Sequence, residues 1–206
     1  MDIAEFKRLP VMGILRGVEQ KVITALIEAI IESGLKTIEI TMNTRNACGL
    51  IKEAARVSCG RLTIGAGTVL ELATLKEALS SGATFCVTPV LVKEVSLYCQ
   101  KNKIPIFPGA LTPLEIYNAW SLGAAMVKVF PAKFFGPDYF KEIKGPFGDI
   151  ELLACGGVNP HNIKEYFNKG AAAVAFGASV FRKEWIQEND FASVAKCIKD
   201  LISAMN

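Results

Sequence analysis

The chain has 206 residues, of which 51% are hydrophobic and 21% charged, a balance that predicts a globular protein with a substantial core. The formal net charge is only +3, and Lys and Arg are scattered without a basic run, so a nucleic-acid partner is not expected. The one histidine, His161, excludes a metal site built from several histidines of this chain. It follows Asn159-Pro160 at a predicted helix start, which favours a surface or capping role.

Cysteine usage and the absence of long apolar stretches indicate the compartment. None of the six cysteines forms a C-x-x-C pair, and we interpret them as reduced, mostly buried thiols. The first eight residues contain no apolar segment typical of a secretory signal. No apolar run has the length that spans a bilayer. We therefore expect a cytoplasmic protein with no membrane partner.

Strand-like and helix-like segments alternate along the whole chain. Four intervening helices are predicted to end on a glycine, at Gly34, Gly82, Gly123 and Gly170. A further helix is expected within residues 1–9, and a last one from Phe191 to Met205. The predicted strands are residues 11–16, 37–42, 62–66, 84–88, 104–108, 126–130, 151–155 and 173–177.

This alternation recurs at roughly 20 to 25 residues, the period of strand–helix units with short loops. Eight such units predict a single α/β domain, a (β/α)₈ TIM barrel over residues 1–206 with an N-terminal helix. An open doubly wound sheet is the alternative, although no G-x-G-x-x-G motif with a following acidic residue supports a dinucleotide fold. In a barrel, the residues at the C-terminal strand ends are the candidates for chemistry.

Lys128 is the first of these candidates, because it lies within the apolar run Met126–Ala132. Burial removes hydration from an ammonium, so we expect the pKa of Lys128 to fall. A neutral amine near pH 7 can attack a ketone and form a Schiff base. The alternative is that Lys128 extends its ammonium from the strand end into water.

Glu39 is a carboxylate within the β-branched strand Thr37–Thr41. A Schiff-base lysine requires a partner that moves protons, and Glu39 is the candidate general acid and base. A purely structural ion pair is the alternative.

Glycines and Arg16 mark the other strand ends. Gly156-Gly157 and the segment ending in Ser179 follow the seventh and eighth strands, where barrels commonly bind phosphate. Tight turns alone would also explain these glycines. Arg16 is a candidate for holding a substrate carboxylate, with Arg45 as a second candidate, and an ordinary salt bridge is the alternative for Arg16.

Together these residues resemble the KDPG/KHG aldolases over essentially the whole chain. These are class I aldolases acting on 2-keto-3-deoxy-6-phosphogluconate and 4-hydroxy-2-oxoglutarate. The segments that carry the resemblance are Ile38–Thr41, Ile64–Val69, Thr88-Pro89, Phe107–Gly109, Val127–Ala132, Lys144–Phe147 and Gly156–Val158.

The resemblance implies a carbon–carbon lyase of the Entner–Doudoroff type, a homotrimer without metal or organic cofactor, acting on a phosphorylated 2-keto acid. It implies that Lys128 forms the Schiff base and that Glu39 is the acid and base. It further implies a pyruvyl pocket of Thr68, Pro89 and Phe130, and a phosphate site of Gly156, Gly157 and Ser179.

Two positions depart from the family pattern. Asn43 stands where many members carry an Arg that contacts the substrate carboxylate, so Arg16 is expected to take that task. Cys155 stands where many members have Thr, and a thiol is a weaker hydrogen-bond donor. The galactonate epimer of the substrate therefore stays open as an alternative. A sugar-phosphate-binding barrel without activity is a further alternative, against which the presence of both Lys128 and Glu39 argues.

Overall fold

Eight parallel strands, each bonded to its neighbours in sequence order, close into a barrel in the computed structural model, which describes residues 1–205. All eight predicted strands are present, with ends that differ by up to two residues from the predicted ones, and the predicted barrel is confirmed. The strands are β1 (Val11–Leu15), β2 (Thr37–Thr41), β3 (Thr63–Gly67), β4 (Cys86–Thr88), β5 (Ile106–Ala110), β6 (Val127–Val129), β7 (Leu152–Cys155) and β8 (Ala173–Phe176).

Helices cover the outside of this barrel. The glycines predicted to end helices have φ angles of +89° at Gly34, +109° at Gly82, +82° at Gly123 and +99° at Gly170, which glycine adopts at no steric cost. The helices are α1 (Ile3–Phe6), α2 (Ile23–Glu32), α3 (Ala47–Ser58), α4 (Leu72–Ser80), α5 (Lys93–Lys101), α6 (Pro113–Ser121), α7 (Asp138–Lys144), α8 (Ile163–Asn168), α9 (Lys183–Gln187) and α10 (Phe191–Ser203).

The two terminal helices are shorter than predicted, and the short α9 was not foreseen from the sequence. Helix α1 begins after Asp2, whose carboxylate accepts hydrogen bonds from the backbone of Ala4 and Glu5. It ends at Phe6, since the chain turns before entering β1. Among residues 1–205, no helix has the length and apolarity needed to cross a membrane.

The N-terminal end of the barrel interior is closed by apolar side chains. Phe6 of α1 packs edge-on against Phe107, which packs in the same way against Phe85, with ring centres 5.8 Å apart in both pairs. The interior also contains Met12, Val87, Met126, Leu153, Cys155, Ala173 and Ala175. Because this end is filled, a substrate can reach the interior only from the C-terminal end.

Strand β3 contributes two inward-facing glycines that make room for larger neighbours. A Cβ atom at Gly65 would lie 2.4 Å from the Phe85 ring, and one at Gly67 would lie 2.7 Å from Cδ of Glu39. The missing side chain of Gly65 thus makes room for the Phe85 ring, and that of Gly67 makes room for the Glu39 carboxyl group.

All six cysteines are free thiols. Cys86, Cys99 and Cys155 are buried, whereas Cys48 and Cys197 are half-buried and Cys59 is exposed. The expectation that the cysteines are mostly buried therefore holds for three of the six.

Candidate active site

Lys128 and Glu39 face each other inside the C-terminal half of the barrel. They belong to β6 and β2, which lie on opposite sides of the eight-stranded ring. The Lys128 Nζ atom is 3.7 Å from Glu39 Oε1, and the two side chains are 8% and 1% exposed. Lys128 therefore does not extend its ammonium into water, and the two predicted catalytic residues form one buried pair.

The pair perturbs the pKa of each member. Burial raises the pKa of Glu39, opposed by the positive charges of Lys128 and Arg16. Burial lowers the pKa of Lys128, but the charge of Glu39 and the Cys155 side chain raise it, and the net direction is upward. The expectation that the Lys128 pKa falls is therefore wrong, because a buried carboxylate stabilises the ammonium.

Both carboxylate oxygens of Glu39 are buried without a hydrogen-bond partner among residues 1–205. At 3.7 Å the contact with Lys128 is an ion pair and is too long for a hydrogen bond. A buried carboxylate without hydrogen bonds is energetically costly, and its raised pKa makes it a good proton acceptor. Glu39 can thus take a proton from Lys128 and leave a neutral amine.

Cys155 is the third interior group at this level of the barrel. Leu153 of β7 pairs with Lys128, and two residues later Cys155 points to the same face and contacts the Lys128 side chain. Burial raises the pKa of the Cys155 thiol, so the thiol is neutral beside the ammonium. Strand alternation could have placed Cys155 beside Lys128, but the sequence analysis treated it only as a departure from the family pattern.

Arg16 and Thr68 lie together at the mouth of the barrel. Arg16 Nη2 donates a hydrogen bond of 3.2 Å to Thr68 Oγ1. Thr68 has a φ angle of +56°, a conformation that typically costs about 1–3 kcal/mol for a residue that is not glycine. The positive charge of Arg16 opposes the rise that burial causes in the pKa of Glu39, so the guanidinium acts on the site electrostatically.

The loop that carries Arg16 is anchored by a residue that the sequence analysis did not single out. The backbone N–H of Gly17 donates to Thr44 Oγ1 at 3.0 Å, and the Thr44 and Thr41 hydroxyls share a hydrogen bond of 2.9 Å. Thr44 thereby joins the ends of β1 and β2. Arg45 and Asn43, in the same loop, are both exposed.

Phe130 and Pro89 provide an apolar wall next to Lys128. The Phe130 ring centre is 5.6 Å from Lys128 Nζ, and Phe130 is 42% exposed. Phe130 and Pro89 line a cavity of about 290 Å³, together with Gly109, Leu111 and Glu115 among others. The site thus has an apolar side where a methyl or methylene group can pack.

Gly156, Gly157 and Ser179 come together at the ends of β7 and β8. The two glycines have φ angles of +102° and +84°, which a residue with a side chain rarely adopts. Ser179 Oγ donates to the Val158 carbonyl at 2.7 Å, and this bond ties the two loops to each other. The predicted phosphate residues are therefore adjacent, while their role as phosphate ligands stays a prediction.

A cleft of about 660 Å³ begins at Ser179 and runs outward. Arg182 and Trp185 line it, with the guanidinium 4.4 Å from the ring centre, as does the exposed His161. His161 lies just before α8, and its backbone N–H donates to Asn159 Oδ1. Among residues 1–205, no group of three His, Cys, Asp or Glu side chains is placed to hold a metal ion.

A closed (β/α)₈ barrel with a buried lysine–carboxylate pair at its C-terminal end defines a barrel enzyme. A family model described as "KDPG and KHG aldolase" matches residues 3–197. The chain belongs to the KDPG and KHG aldolase family. It is accordingly an aldolase, a carbon–carbon lyase.

Its relatives include enzymes with two related names. The 2-dehydro-3-deoxy-6-phosphogalactonate aldolase of Escherichia coli K12 is 30% identical over 93% of this chain and 94% of its own length. The 2-dehydro-3-deoxy-phosphogluconate aldolase of Haemophilus influenzae is 30% identical over 97% of this chain and 93% of its own length.

A similar solved structure is that of a KDPG aldolase from Legionella pneumophila, in which pyruvate was captured at low pH as a covalent carbinolamine intermediate. It is 26% identical and has a TM-score of 0.89 over 97% of both chains.

Proposed function

We propose that this chain is a class I aldolase that cleaves a phosphorylated 2-keto-3-deoxy sugar acid through a Schiff base on Lys128. The observation that carries the proposal is the buried Lys128–Glu39 pair, with 3.7 Å between Nζ and Oε1. The carbinolamine captured in the Legionella relative supports covalent chemistry of this kind.

The reaction begins with a proton transfer inside the pair. Glu39 accepts a proton from the Lys128 ammonium, and the neutral amine attacks the C2 carbonyl carbon of the substrate. A proton passes from the attacking nitrogen to the new oxyanion and forms the neutral carbinolamine. Glu39 then gives its proton to the carbinolamine hydroxyl, which leaves as water, and the protonated imine forms. The raised pKa of Glu39 suits both directions of this transfer.

Carbon–carbon cleavage follows from the imine. Glu39, again a carboxylate, takes the proton of the C4 hydroxyl, the C3–C4 bond breaks, and its electron pair passes to the iminium nitrogen. The aldehyde leaves, and the enamine gains a proton at C3. Addition of water to the resulting imine then releases pyruvate and restores Lys128.

The surrounding residues hold the two ends of the substrate. In this proposal Arg16 binds the carboxylate, and Thr68, to which Arg16 donates a hydrogen bond, lines the pyruvyl pocket with Pro89 and Phe130. Gly156, Gly157 and Ser179 bind the phosphate at the opposite end.

The proposed substrate is 2-keto-3-deoxy-6-phosphogluconate, which is cleaved to pyruvate and glyceraldehyde 3-phosphate. 4-Hydroxy-2-oxoglutarate, which is cleaved to pyruvate and glyoxylate, is proposed as a second or alternative substrate. The galactonate epimer is the second candidate, because a phosphogalactonate aldolase is as similar to this chain as the phosphogluconate aldolases are. The two phosphorylated acids differ at one stereocentre.

The test is a comparison of pyruvate release from the three substrates under equal conditions. We expect turnover with at least one phosphorylated acid, and the ratio of kcat/KM values assigns the physiological one. The absence of pyruvate release from all three would contradict the proposed function and favour a sugar-phosphate-binding barrel.

We further propose that the enzyme is a homotrimer. An exposed apolar surface supports self-association: Leu114 is 68%, Tyr117 53%, Phe134 72% and Phe135 55% exposed. Tyr117 of α6 packs against Phe147 at 6.0 Å, so this surface continues from α6 to the segment after α7. A relative that is 29% identical occurs in a cage designed by fusing symmetric oligomeric domains.

Light scattering should therefore give a mass near three times the 22.3 kDa of one chain. Replacing Tyr117 and Leu114 with Lys should shift the mass toward one chain, because charges would then be buried in the interface. A wild-type mass of one chain at micromolar concentration would contradict the trimer.

A further inference from the structure

We propose that Lys133 supplies the positive charge that pairs with the substrate phosphate and thereby selects phosphorylated over non-phosphorylated substrates. This inference rests on the proposed function, and it concerns a residue that the predicted phosphate site does not include.

Lys133 lies directly over one of the two glycines at the end of β7. It belongs to the 3₁₀ turn Ala132–Phe134, which follows β6. A Cβ atom built on Gly157 would lie 2.6 Å from Lys133 Cβ and 3.7 Å from its Cδ, so the aliphatic stem of Lys133 covers Gly157. The neighbouring Gly156 is in ordinary contact distance of the start of this turn, since a Cβ there would lie 3.5 Å from the Ala132 nitrogen and from the Pro131 Cα atom.

This contact puts the ammonium within reach of an anion on the glycine loop. The Nζ atom is two bonds beyond Cδ, and the stem can rotate because Lys133 is exposed. Absence of a side chain at Gly157 is what allows the stem to lie there. The same glycine that offers its backbone to the phosphate thus also admits the lysine.

The predicted phosphate ligands do not supply a positive charge themselves. Gly156 and Gly157 offer neutral backbone groups, and the Ser179 hydroxyl already donates to the Val158 carbonyl. A phosphate carries close to two negative charges at neutral pH, and a hydrogen bond to a charged donor is about twice as strong as a neutral one. A cation at this point therefore discriminates a phosphate from a hydroxyl group.

Lys133 has one neighbour that competes with a phosphate. Its Nζ atom lies 5.0 Å from the ring centre of Phe134. A cation–π contact is weaker than a charge-assisted hydrogen bond between an ammonium and a phosphate. No carboxylate of residues 1–205 lies within ion-pair distance of Lys133, so the ammonium is available to a phosphate.

Arg182 is the competing cation at this end of the barrel. It lies three residues after Ser179 and lines the same outer cleft, with its guanidinium 4.4 Å from the Trp185 ring centre. Lys133 is favoured because it packs on Gly157 itself. Arg182, by contrast, packs over the Trp185 ring in the outer cleft.

The experiment measures condensation of pyruvate with glyceraldehyde 3-phosphate and with glyceraldehyde. It compares wild type, Lys133→Met, Lys133→Arg, Arg182→Met and a control, Lys76→Met. Lys76 is an exposed lysine that also lies over an aromatic ring, with Nζ 5.4 Å from the Tyr98 centre, but on the outer helices. The control removes the same charge and the same kind of contact away from the barrel mouth.

For Lys133→Met we expect kcat/KM with glyceraldehyde 3-phosphate to fall about 10- to 100-fold, the factor that loss of one charged hydrogen bond produces. The loss should appear mainly as a higher KM. The ratio of kcat/KM with glyceraldehyde 3-phosphate to kcat/KM with glyceraldehyde should fall by a similar factor. Inhibition by inorganic phosphate should weaken in parallel. Lys133→Arg should restore most of the preference, and Lys76→Met should keep that of wild type.

Three outcomes would overturn the inference: an unchanged substrate ratio in Lys133→Met, an equal loss with both aldehydes, or a loss of the ratio in Arg182→Met alone. Trapping of pyruvate on Lys128 with borohydride shows whether each variant retains its fold and its amine. If wild type condenses neither aldehyde, the proposed function itself fails. If wild type is active and Lys133→Met keeps its substrate ratio, only the inference about Lys133 is contradicted.

Discussion

Replacing Lys128 with Arg is expected to abolish turnover, with a loss on the order of 10⁵-fold or more, as for the removal of other covalent nucleophiles. Arg keeps the positive charge that pairs with Glu39 but cannot supply a neutral amine. The loss therefore reports on covalent chemistry, while the buried charge pair is kept. A stopped assay of pyruvate release, run with excess enzyme, measures the residual turnover of the variant.

The matched control is Lys128→Met, which keeps the length of the stem and removes both the amine and the charge. It should be equally inactive, and Glu39 should then remain protonated at higher pH, because the charge that opposes burial is gone. Reduction with borohydride in the presence of pyruvate should label Lys128 in wild type and no residue of the barrel interior in either variant. Turnover near that of wild type in Lys128→Arg would end the Schiff-base proposal.

Replacing Glu39 with Gln is expected to slow turnover by about 10²- to 10⁴-fold, the usual contribution of a positioned acid and base. The amide has the shape of the carboxylate but cannot accept and return a proton. Imine formation on Lys128 should persist at a reduced rate. Trapping kinetics with pyruvate separate this step from cleavage of the complete substrate.

The same variant tests the electrostatics of the pair. Glu39 raises the pKa of Lys128 against the lowering effect of burial, so its removal should lower that pKa. Trapping requires the neutral amine, and its rise with pH should therefore begin at lower pH in Glu39→Gln than in wild type. A midpoint that stays in place, or that moves to higher pH, would show that Glu39 does not control the charge of Lys128.

Local sequence patterns were sufficient to predict the fold. Short apolar segments, helical spacing and glycines such as Gly34 and Gly82 repeat in a fixed order, and each pattern reflects an interaction between residues near in sequence. The ends of elements were less accurate. The helix after β8, α9, is only five residues long, and its two apolar residues, Trp185 and Ile186, are adjacent, so the sequence shows no helical spacing there.

The candidate site was predictable only as a set of residue types. Lys128 and Glu39 stand out because charged groups are rare in apolar strands. Their separation depends on the closure of eight strands, and the sequence contains no direct measure of it. The wrong expectation for the Lys128 pKa has this origin, since burial was foreseen and the distance to the compensating carboxylate was not.

By itself, the sequence determined the order of strands and helices and the barrel class, and it predicted Lys128 and Glu39 as the pair for Schiff-base chemistry. Each of these follows from the identity of a residue and its nearest neighbours. The tertiary structure alone decided that Glu39 faces Lys128 across the barrel, that Cys155 touches the amine, that Gly67 makes room for the Glu39 carboxyl group, and that Lys133 covers Gly157. These contacts join residues up to 89 positions apart, from Glu39 to Lys128, and only the closed sheet brings such residues together.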